Sequence, residues 1–338
     1  MLSLGIETSC DETAASLVEN GRVILSNVIA SSLKLHRKHQ GIIPEIASRA
    51  HIESISLVVE QALKEAGRKI IDIDLVCVTK GPGLIGSLLV GISFARGLSY
   101  ALKKPLVGVD HLEAHLYASF LSNKPAMPFM ALAKRKAKPL PCRLIGLVVS
   151  GGHTSLFLVK KGFTFKTLGA TVDDAAGEAF DKVAKLLNLG YPGGPEIERI
   201  AKGGNPKAVK LSCMGPEGLD FSFSGIKTAV LYKTQDTRHK TQNADMAASF
   251  QRAVVEALVE KSFSACARHK IKTLVIGGGV AANNYLRNRF NQEADLRNIK
   301  VYFPAPALSL DNAAMIAGLG YQLYKHGKLL RARGAWRE

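Results

Sequence analysis

The chain carries the same strand–turn–strand pattern twice, at residues 4–18 and 144–159. Each copy has an apolar strand, a short polar turn and a second strand closed by a glycine, Gly21 or Gly162. A second pattern, an apolar run followed by a glycine loop and a helical stretch, also occurs twice, at 75–83 and 273–279. Strand, glycine and helix recur by chance in α/β proteins, but two patterns in the same order favour duplication. We therefore predict a duplicated α/β fold, with a ligand cleft between its halves.

The length and the proline distribution predict where the two halves meet. A chain of 338 residues is long enough for two domains. Residues 122–143 contain four prolines and several lysines, which excludes a long helix there. We expect a first domain at 1–121, joined by a C-terminal helical segment at 309–338, then a basic connection at 122–143 and a second domain at 144–308.

Charge and cysteine content restrict the partners and the compartment. The formal net charge is +17, which favours a polyanionic partner such as phosphate, nucleic acid or an anionic membrane surface. The five cysteines are scattered, without a Cys-x-x-Cys pair, so we expect neither a disulfide framework nor a thiolate zinc site. Acidic residues interrupt the first apolar run, which argues against a signal peptide. Arg96 interrupts residues 85–102, so we predict a buried helix there, no membrane partner and a cytoplasmic protein.

Two histidines at helical spacing are the strongest chemical signal. His111 and His115 are four residues apart, so a helix places both imidazoles on one face, where a divalent metal can bridge them. The alternative to a metal site is that the two histidines are an ordinary polar feature of the helix surface. Leu112 follows His111 where a zinc protease has its glutamate, so that general base is absent. We expect Asp311, in a helix beginning near Ser309, as third ligand, although the helix dipole alone also favours an acid there. Two imidazoles and one carboxylate suit Fe2+ or Zn2+.

Glycine-rich turns are the second chemical signal. Residues 150–154 and 277–283 allow the backbone to approach a ligand closely, and their N–H groups can face phosphate oxygens. Tight turns alone also explain these glycines. Neither a P-loop motif nor a dinucleotide-binding motif occurs in the required context.

Together these segments resemble the TsaD family, the tRNA adenosine threonylcarbamoyltransferases formerly described as glycoproteases. The similarity covers nearly the whole chain, in ordered motifs at residues 5–13, 44–49, 81–83, 111–115, 150–154, 176–181, 221–227 and 278–283 and at Asp311. One departure is the basic stretch 130–143, which makes the connection before the second domain longer than in the family. Basic residues are grouped in this stretch and elsewhere in the chain, at Lys34, Arg37, Lys38, Arg331 and Arg333. A solvated surface would explain any one group, but their shared sign favours contacts with tRNA phosphates.

The resemblance implies a fold and a reaction. The fold is actin-like and sugar-kinase-like, in agreement with the duplication. The reaction transfers a threonylcarbamoyl group from threonylcarbamoyl-AMP to N6 of adenosine 37 in tRNAs that read codons beginning with A. It also implies helper proteins of the TsaB and TsaE types. The matching metal ligands are His111, His115 and Asp311, with Fe2+ usual and Zn2+ possible. The positions that match the family's substrate loop are Val148, Val149, Ser150, Gly151 and Gly152. Those that match its nucleotide-contacting residues are Asp181, Gly194, Glu198 and Asn283.

The reaction needs little covalent chemistry from the protein, because the mixed anhydride is already activated. The protein has to orient the amine, remove its proton and stabilise charge. Asp11 or Glu12, in the first polar turn, is our candidate for orienting the amine or accepting its proton, and ordinary turn chemistry is the alternative. Three other functions remain open at this point: a metalloendopeptidase, an ATP-dependent kinase or ATPase of the same fold, and a tRNA-binding protein without catalysis.

Overall fold

The computed structural model describes residues 1–36, 41–123, 141, 143–213, 215–235 and 242–330. Most of the basic stretch 130–143 lies outside these residues, as do Arg37, Lys38, Arg331 and Arg333, for which we expect tRNA contacts. The chain divides into two compact units. Unit 1 comprises Met1–Cys142 and Leu310–Glu338, and unit 2 comprises Arg143–Ser309.

Unit 1 contains a mixed sheet in the order β5-β4-β1-β2-β3-β6. Its strands are β1 (Leu2–Glu7), β2 (Glu12–Glu19), β3 (Val23–Ser31), β4 (Leu75–Gly81), β5 (Leu106–Asp110) and β6 (Ser122–Asn123). Strand β2 pairs antiparallel with β1 and β3, whereas β4 is parallel to β1 and β5. The whole of β1 is buried, as expected for a central strand covered on both faces.

The helices of unit 1 cover this sheet. They are α1 (Leu33–His36), α2 (Pro44–Ala66), α3 (Ile85–Leu102), α4 (His111–Tyr117) and α10 (Ala313–Lys325). Helices α2 and α3 pack together, and their apolar residues form a core with Leu4 and Ile6 of β1. Helix α10 packs on β1 next to α4, with the backbone at Ala313 and Ala317 close to Gly5. Successive residues of β1 therefore face different helices, as the pleat of a strand requires.

Unit 2 has a sheet in the order β11-β10-β7-β8-β9. Its strands are β7 (Leu144–Val149), β8 (Thr154–Lys160), β9 (Thr164–Ala170), β10 (Thr273–Gly277) and β11 (Lys300–Tyr302). Its helices are α5 (Ala176–Leu186), α6 (Gly193–Ala201), α7 (Ser224–Gln235), α8 (Asn243–His269) and α9 (Asn284–Arg297). Fifteen residues of α8 are buried, which makes it the central helix of this core.

The predicted duplication is confirmed by the sheets. In unit 1 the order β5-β4-β1-β2-β3 corresponds to β11-β10-β7-β8-β9 in unit 2. Parallel and antiparallel pairings also match, because β7 pairs antiparallel with β8 and parallel with β10, as β1 does with β2 and β4. Gly21 and Gly162, which close the two hairpins, both have positive φ, at 68° and 79°. Two copies of one α/β unit therefore form the chain.

Helix α3 differs from its prediction as a buried helix. Only four of its residues are buried, namely Ser87, Gly91, Ile92 and Ala95. Helix α3 packs against β4 and α2, while Ile85 and Tyr100 are 74% and 89% exposed. Its length and composition alone would suffice to cross a membrane, and it is the one helix of this kind among the described residues. The apolar sequence predicted burial on every side of the helix, whereas the described residues of unit 1 cover only part of its surface.

Candidate metal centre and substrate-binding residues

Helix α4 begins directly after a strand, and this junction positions the first histidine. Strand β5 ends at Asp110, whose side chain accepts hydrogen bonds from the backbone N–H groups of Leu112 (2.9 Å) and Glu113 (3.1 Å). This is an N-cap, which satisfies two amides that a helix start otherwise leaves unpaired. The predicted helix is confirmed, and it places His111 in the first turn and His115 one turn later.

The two histidines and Asp311 converge in unit 1. The Nε2 atoms of His111 and His115 lie 3.2 Å apart, and Asp311 Oδ1 lies 3.5 Å from the first and 3.1 Å from the second. One ligand atom from each residue falls within 4.8 Å of the other two. Two imidazole nitrogens and a carboxylate oxygen directed at one point form a donor set that suits a divalent transition metal. We call these three residues the His–His–Asp cluster.

Asp311 reaches the cluster from a position that differs from our prediction. The helix predicted to begin near Ser309 begins at Ala313, so Asp311 precedes the helix rather than lying in its first turn. Asn312 is the N-cap, because its Oδ1 accepts from Met315 N–H at 3.1 Å while its Nδ2 donates to the Leu310 carbonyl at 2.8 Å. Asn312 is fully buried, so these two bonds fix the backbone on both sides of Asp311.

A buried carboxylate behind the cluster was missed in the sequence. Glu7, at the end of β1, has no exposed surface, and its Oε2 lies 3.0 Å from His111 Nδ1. Its other contacts are the backbone N–H of Ser9 (2.6 Å) and the hydroxyl of Thr79 (2.7 Å), both of which donate to it. The signal available in the sequence was an acid inside an apolar strand, since a buried charge requires partners.

The charges of these groups depend on one another. Burial raises the pKa of Glu7. The charge of His111 and its hydrogen bond to Glu7 lower that pKa and outweigh burial, so the pKa of Glu7 lies below its ordinary value. Burial lowers the pKa of His111, but Asp311 and Glu7 outweigh that effect and raise the pKa to about 9. Without a cation, the two carboxylates therefore favour a proton on His111, and a bound metal would take the place of that charge.

The acidic turn next to the cluster is held by buried polar groups. His51 Nε2 donates to the Cys10 carbonyl at 3.0 Å, and Ser32 Oγ donates to the Asp11 carbonyl at 2.9 Å. Asp11 is buried, and Glu12 begins β2. Burial, with the negative charges of Asp11 and Asp311, raises the pKa of Glu12 to about 9. The raised pKa favours the protonated form of Glu12, and a protonated carboxyl is suited to donate a hydrogen bond.

The predicted substrate loop lies at the end of β7 in unit 2. Val148 and Val149 are strand residues with no exposed surface, so neither presents an atom to the surroundings, and the accessible part of the loop begins after them. Ser150 closes the turn, with its N–H bonded to the His153 carbonyl at 2.8 Å. Gly151 and Gly152 are exposed, and a Cβ on either would meet no atom within 4 Å. The turn therefore presents bare backbone to the surroundings.

Two glycines from other elements lie against this loop. A Cβ on Gly177, in α5, would fall 2.8 Å from the Cα of Gly151, and one on Gly278 would overlap the Val149 backbone. Gly278 also has a φ of 92°, which side chains rarely adopt. Gly278, which the sequence assigned to a ligand loop or to a tight turn, therefore serves close backbone packing as well.

The four predicted nucleotide-contacting residues lie on α5, α6 and the start of α9. Asp181 Oδ1 accepts from Gly193 N–H at 2.7 Å, next to Gly194, and burial raises the pKa of Asp181. Glu198 Oε1 accepts from the backbone N–H and the side-chain amide of Asn284, at 3.0 and 2.8 Å. These contacts link α5 to α6 and α6 to α9.

Asn283 has a structural role that was not predicted. Its Oδ1 caps α9 by accepting from Leu286 N–H at 2.9 Å, and its Nδ2 donates to Gln251 Oε1 at 2.8 Å. Both Asn283 and Gln251 are buried. One of the two amide N–H groups of Asn283 is therefore already used within the protein.

Comparison with solved structures defines the fold class. HypF from T. kodakarensis matches with a TM-score of 0.64 at 16% identity, over 97% of this chain and 48% of HypF. Component A of the Acidaminococcus fermentans (R)-2-hydroxyglutaryl-CoA dehydratase matches with a TM-score of 0.54 at 15% identity, over 95% of this chain and 98% of that one. These likenesses concern the fold alone. The chain is a duplicated α/β protein of the actin-like and sugar-kinase-like class, as predicted.

Comparison of sequences identifies the family, which the structural comparison does not. The family model for TsaD, tRNA N6-adenosine threonylcarbamoyltransferase, matches residues 23–318. Curated proteins of that name from Dictyoglomus turgidum and Symbiobacterium thermophilum are both 50% identical to the chain. The first match covers 97% of this chain and 95% of the relative, and the second covers 96% and 92%. The chain belongs to the TsaD family, so the resemblance is confirmed and the protein is a transferase.

Proposed function

We propose that this protein transfers the threonylcarbamoyl group of threonylcarbamoyl-AMP to N6 of adenosine 37 in tRNAs that read codons beginning with A, with release of AMP. The observation that carries the proposal is 50% identity, over 97% of the chain, to a protein named tRNA N6-adenosine threonylcarbamoyltransferase. Neither a metalloendopeptidase nor a kinase is favoured, because the curated relatives share this one name.

The proposal includes a metal held by His111, His115 and Asp311, with Fe2+ as first choice and Zn2+ as the alternative. The donor set fits either ion, since both accept imidazole nitrogen and carboxylate oxygen. A bound metal would supply Lewis-acid stabilisation and a fixed point of attachment for substrate oxygens. Because the protein supplies three ligands, coordination positions remain for the substrate.

The residues of the chain then have to orient the reactants and move one proton. The attacking amine of adenosine loses a proton as it bonds to the carbamoyl carbon, and we assign that proton to Asp11. Protonated Glu12 beside it is suited to donate a hydrogen bond to the substrate. The exposed backbone at Gly151 and Gly152 is suited to bind oxygens of the adenylate, because glycine carries no side chain that would block the approach of a ligand.

We assign the adenylate to the α5–α6–α9 region of unit 2, through Asp181, Gly194, Glu198 and Asn283. Each carboxylate in this set uses one oxygen for a hydrogen bond within the protein, which fixes the side chain and leaves its second oxygen for the ligand. Asn283 keeps one amide N–H beyond the one that Gln251 accepts.

The partners of the reaction follow from its substrates. A net charge of +17 suits a protein that binds tRNA through its phosphates, with an affinity that falls as salt rises. We propose that TsaB-like and TsaE-like proteins assist, and that the reaction takes place in the cytoplasm, where tRNA is used.

The proposal is tested by measuring N6-threonylcarbamoyladenosine in total tRNA after depletion of the protein, with plasmid copies restoring it. We expect the modified nucleoside to disappear on depletion and to return with the wild-type gene. It should stay absent with His111→Ala or His115→Ala. The matched control is His326→Ala, an exposed histidine at the end of α10, which should restore it fully. Unchanged levels of the nucleoside after depletion would refute the proposed function.

A further inference from the structure

The two histidines of the cluster have different surroundings at Nδ1, although their Nε2 atoms point at each other. His111 Nδ1 lies 3.0 Å from Glu7 Oε2 and 3.2 Å from Ser9 Oγ. His115 Nδ1 is buried and has no hydrogen-bond partner within the described part of the chain. The His111 imidazole therefore has a carboxylate at its Nδ1 atom, whereas the His115 imidazole has no such partner and is positioned by packing.

The carboxylate of Glu7 is itself fixed. Its Oε1 accepts from Ser9 N–H at 2.6 Å, and its Oε2 accepts from the Thr79 hydroxyl at 2.7 Å and faces His111 Nδ1. Glu7 and Thr79 have no exposed surface, and Ser9 is 3% exposed. Strands β1 and β4 thus hold Glu7 at one distance from the first turn of α4.

An imidazole binds a metal through the nitrogen that carries no proton, so its tautomer decides whether it can act as a ligand. A carboxylate cannot donate a hydrogen bond when ionised, so the proton of this pair lies on Nδ1 of His111. The lone pair then lies on Nε2, which is the atom directed at His115 and Asp311. Ser9 Oγ cannot impose this choice, because a hydroxyl both donates and accepts.

We propose that Glu7 is a positioning residue for the metal centre, whose carboxylate keeps His111 in the Nδ1–H tautomer and presents Nε2 to the metal. This inference rests on the proposed metal site. Carboxylates in this position orient histidine ligands, and their loss typically lowers metal affinity 10- to 100-fold. Glu7 does not touch the substrate in this scheme and acts only through His111.

Glutamine at position 7 has nearly the same shape but cannot satisfy the same contacts. If its oxygen accepts from Thr79 and His111, its amide N–H groups face the N–H of Ser9. If its oxygen accepts from Ser9, its amide donates to His111 Nδ1 and forces the proton onto Nε2, where the metal should bind. Thr79→Val is the matched control, because it removes one hydrogen bond to Glu7 and leaves the carboxylate beside His111.

The test is Zn2+ binding to the metal-free full-length protein, measured by competition with a chromophoric chelator. We expect Glu7→Gln to bind Zn2+ about 10- to 100-fold more weakly than wild type and Thr79→Val to stay within about threefold. In the Zn2+-loaded wild type, NMR of 15N-labelled histidine should show a hydrogen-bonded Nδ1–H on His111, a signal that a purely structural role for Glu7 would not require. If Glu7→Gln fails to fold, Glu7→Asp keeps the charge but withdraws it from His111, and the same loss is expected.

The outcomes separate the inference from the proposed function. Equal Zn2+ affinity of wild type and Glu7→Gln, or coordination of Zn2+ through Nδ1 of His111, overturns the role of Glu7 alone. A wild type that binds no Zn2+, or binds it equally well as His111→Ala and His115→Ala, overturns the metal site and the inference with it.

Discussion

Replacing Gly5 by alanine tests how closely helix α10 is fitted to strand β1. A Cβ at position 5 would overlap the carbonyl oxygen of Ala313 and lie 2.7 Å from the backbone nitrogen of Ala317. Ordinary contacts begin at 3.4 Å, so α10 has to retreat by about 0.7 Å at Ala317 and further at Ala313. The obstacle is helix backbone, which cannot turn aside as a flexible side chain can.

The expected cost follows from this displacement. Overpacking of a rigid core typically costs about 1–3 kcal/mol, and contact with the backbone of α10 at two residues puts Gly5→Ala at about 3 kcal/mol. For a domain of this size that corresponds to a fall in Tm of about 6–12 °C. Asp311 and Asn312 directly precede α10, so the shift also displaces a metal ligand, and we expect Zn2+ affinity to fall about tenfold.

The assay is thermal unfolding of the metal-free protein, followed by Zn2+ titration of the folded variant. The matched control is Gly97→Ala in α3, where a Cβ would meet no atom within 4 Å and where alanine should stabilise the helix by about 0.5–1 kcal/mol. A Gly5→Ala variant that melts at the wild-type temperature and binds Zn2+ normally would refute the close packing of α10 on β1.

Three further predictions concern single side chains. Asp110→Ala removes the cap of α4 and should lower the free energy of unfolding by about 1–2 kcal/mol in chemical denaturation, whereas Asp110→Asn, which still caps, should stay near wild type. Burial raises the pKa of the Glu12 carboxyl to about 9 in the folded protein, against an ordinary value of 4.5, so its contribution to stability is present below pH 4.5 and is lost as pH rises towards 9. The Tm of metal-free Glu12→Gln, relative to wild type, should therefore rise between pH 5 and pH 8.5, and a constant difference would contradict this. Asn283→Ala removes the α9 cap and leaves Gln251 unpaired, so urea unfolding should show a loss of about 1–2 kcal/mol, and unchanged unfolding would contradict the capping role.

The duplicated fold was predictable because it depends on patterns that are local in the chain. The hairpins at β1–β2 and β7–β8 each follow from alternating residues and a polar turn within one short segment. The helix of His111 and His115 likewise follows from spacing alone. Such features need no knowledge of distant contacts.

Helix starts were predicted less well, because several residues compete for the cap. Ser309, Asp311 and Asn312 are all good caps, and the sequence does not distinguish among them. The structure selects Asn312, which frees Asp311 to turn towards the two histidines.

The surroundings of the cluster were not predictable, because they join segments far apart in the chain. Glu7 is separated by 72 residues from Thr79 and by 104 residues from His111. The sequence shows only that an acid interrupts an apolar strand, and not which partner compensates its charge. The fit of β1, β4 and α4 in one unit supplies that information.

The most direct test of the account is a single-turnover transfer assay with purified, metal-loaded protein. Threonylcarbamoyl-AMP labelled in the threonine would be mixed with an unmodified tRNA transcript and the TsaB-like and TsaE-like proteins, and label in tRNA would be followed with time. We predict that label appears at adenosine 37 in wild type, and that His115→Ala loses both the metal, measured by elemental analysis, and most of the transfer rate. A His115→Ala protein without metal that transfers at the wild-type rate would contradict the central role of the His–His–Asp cluster.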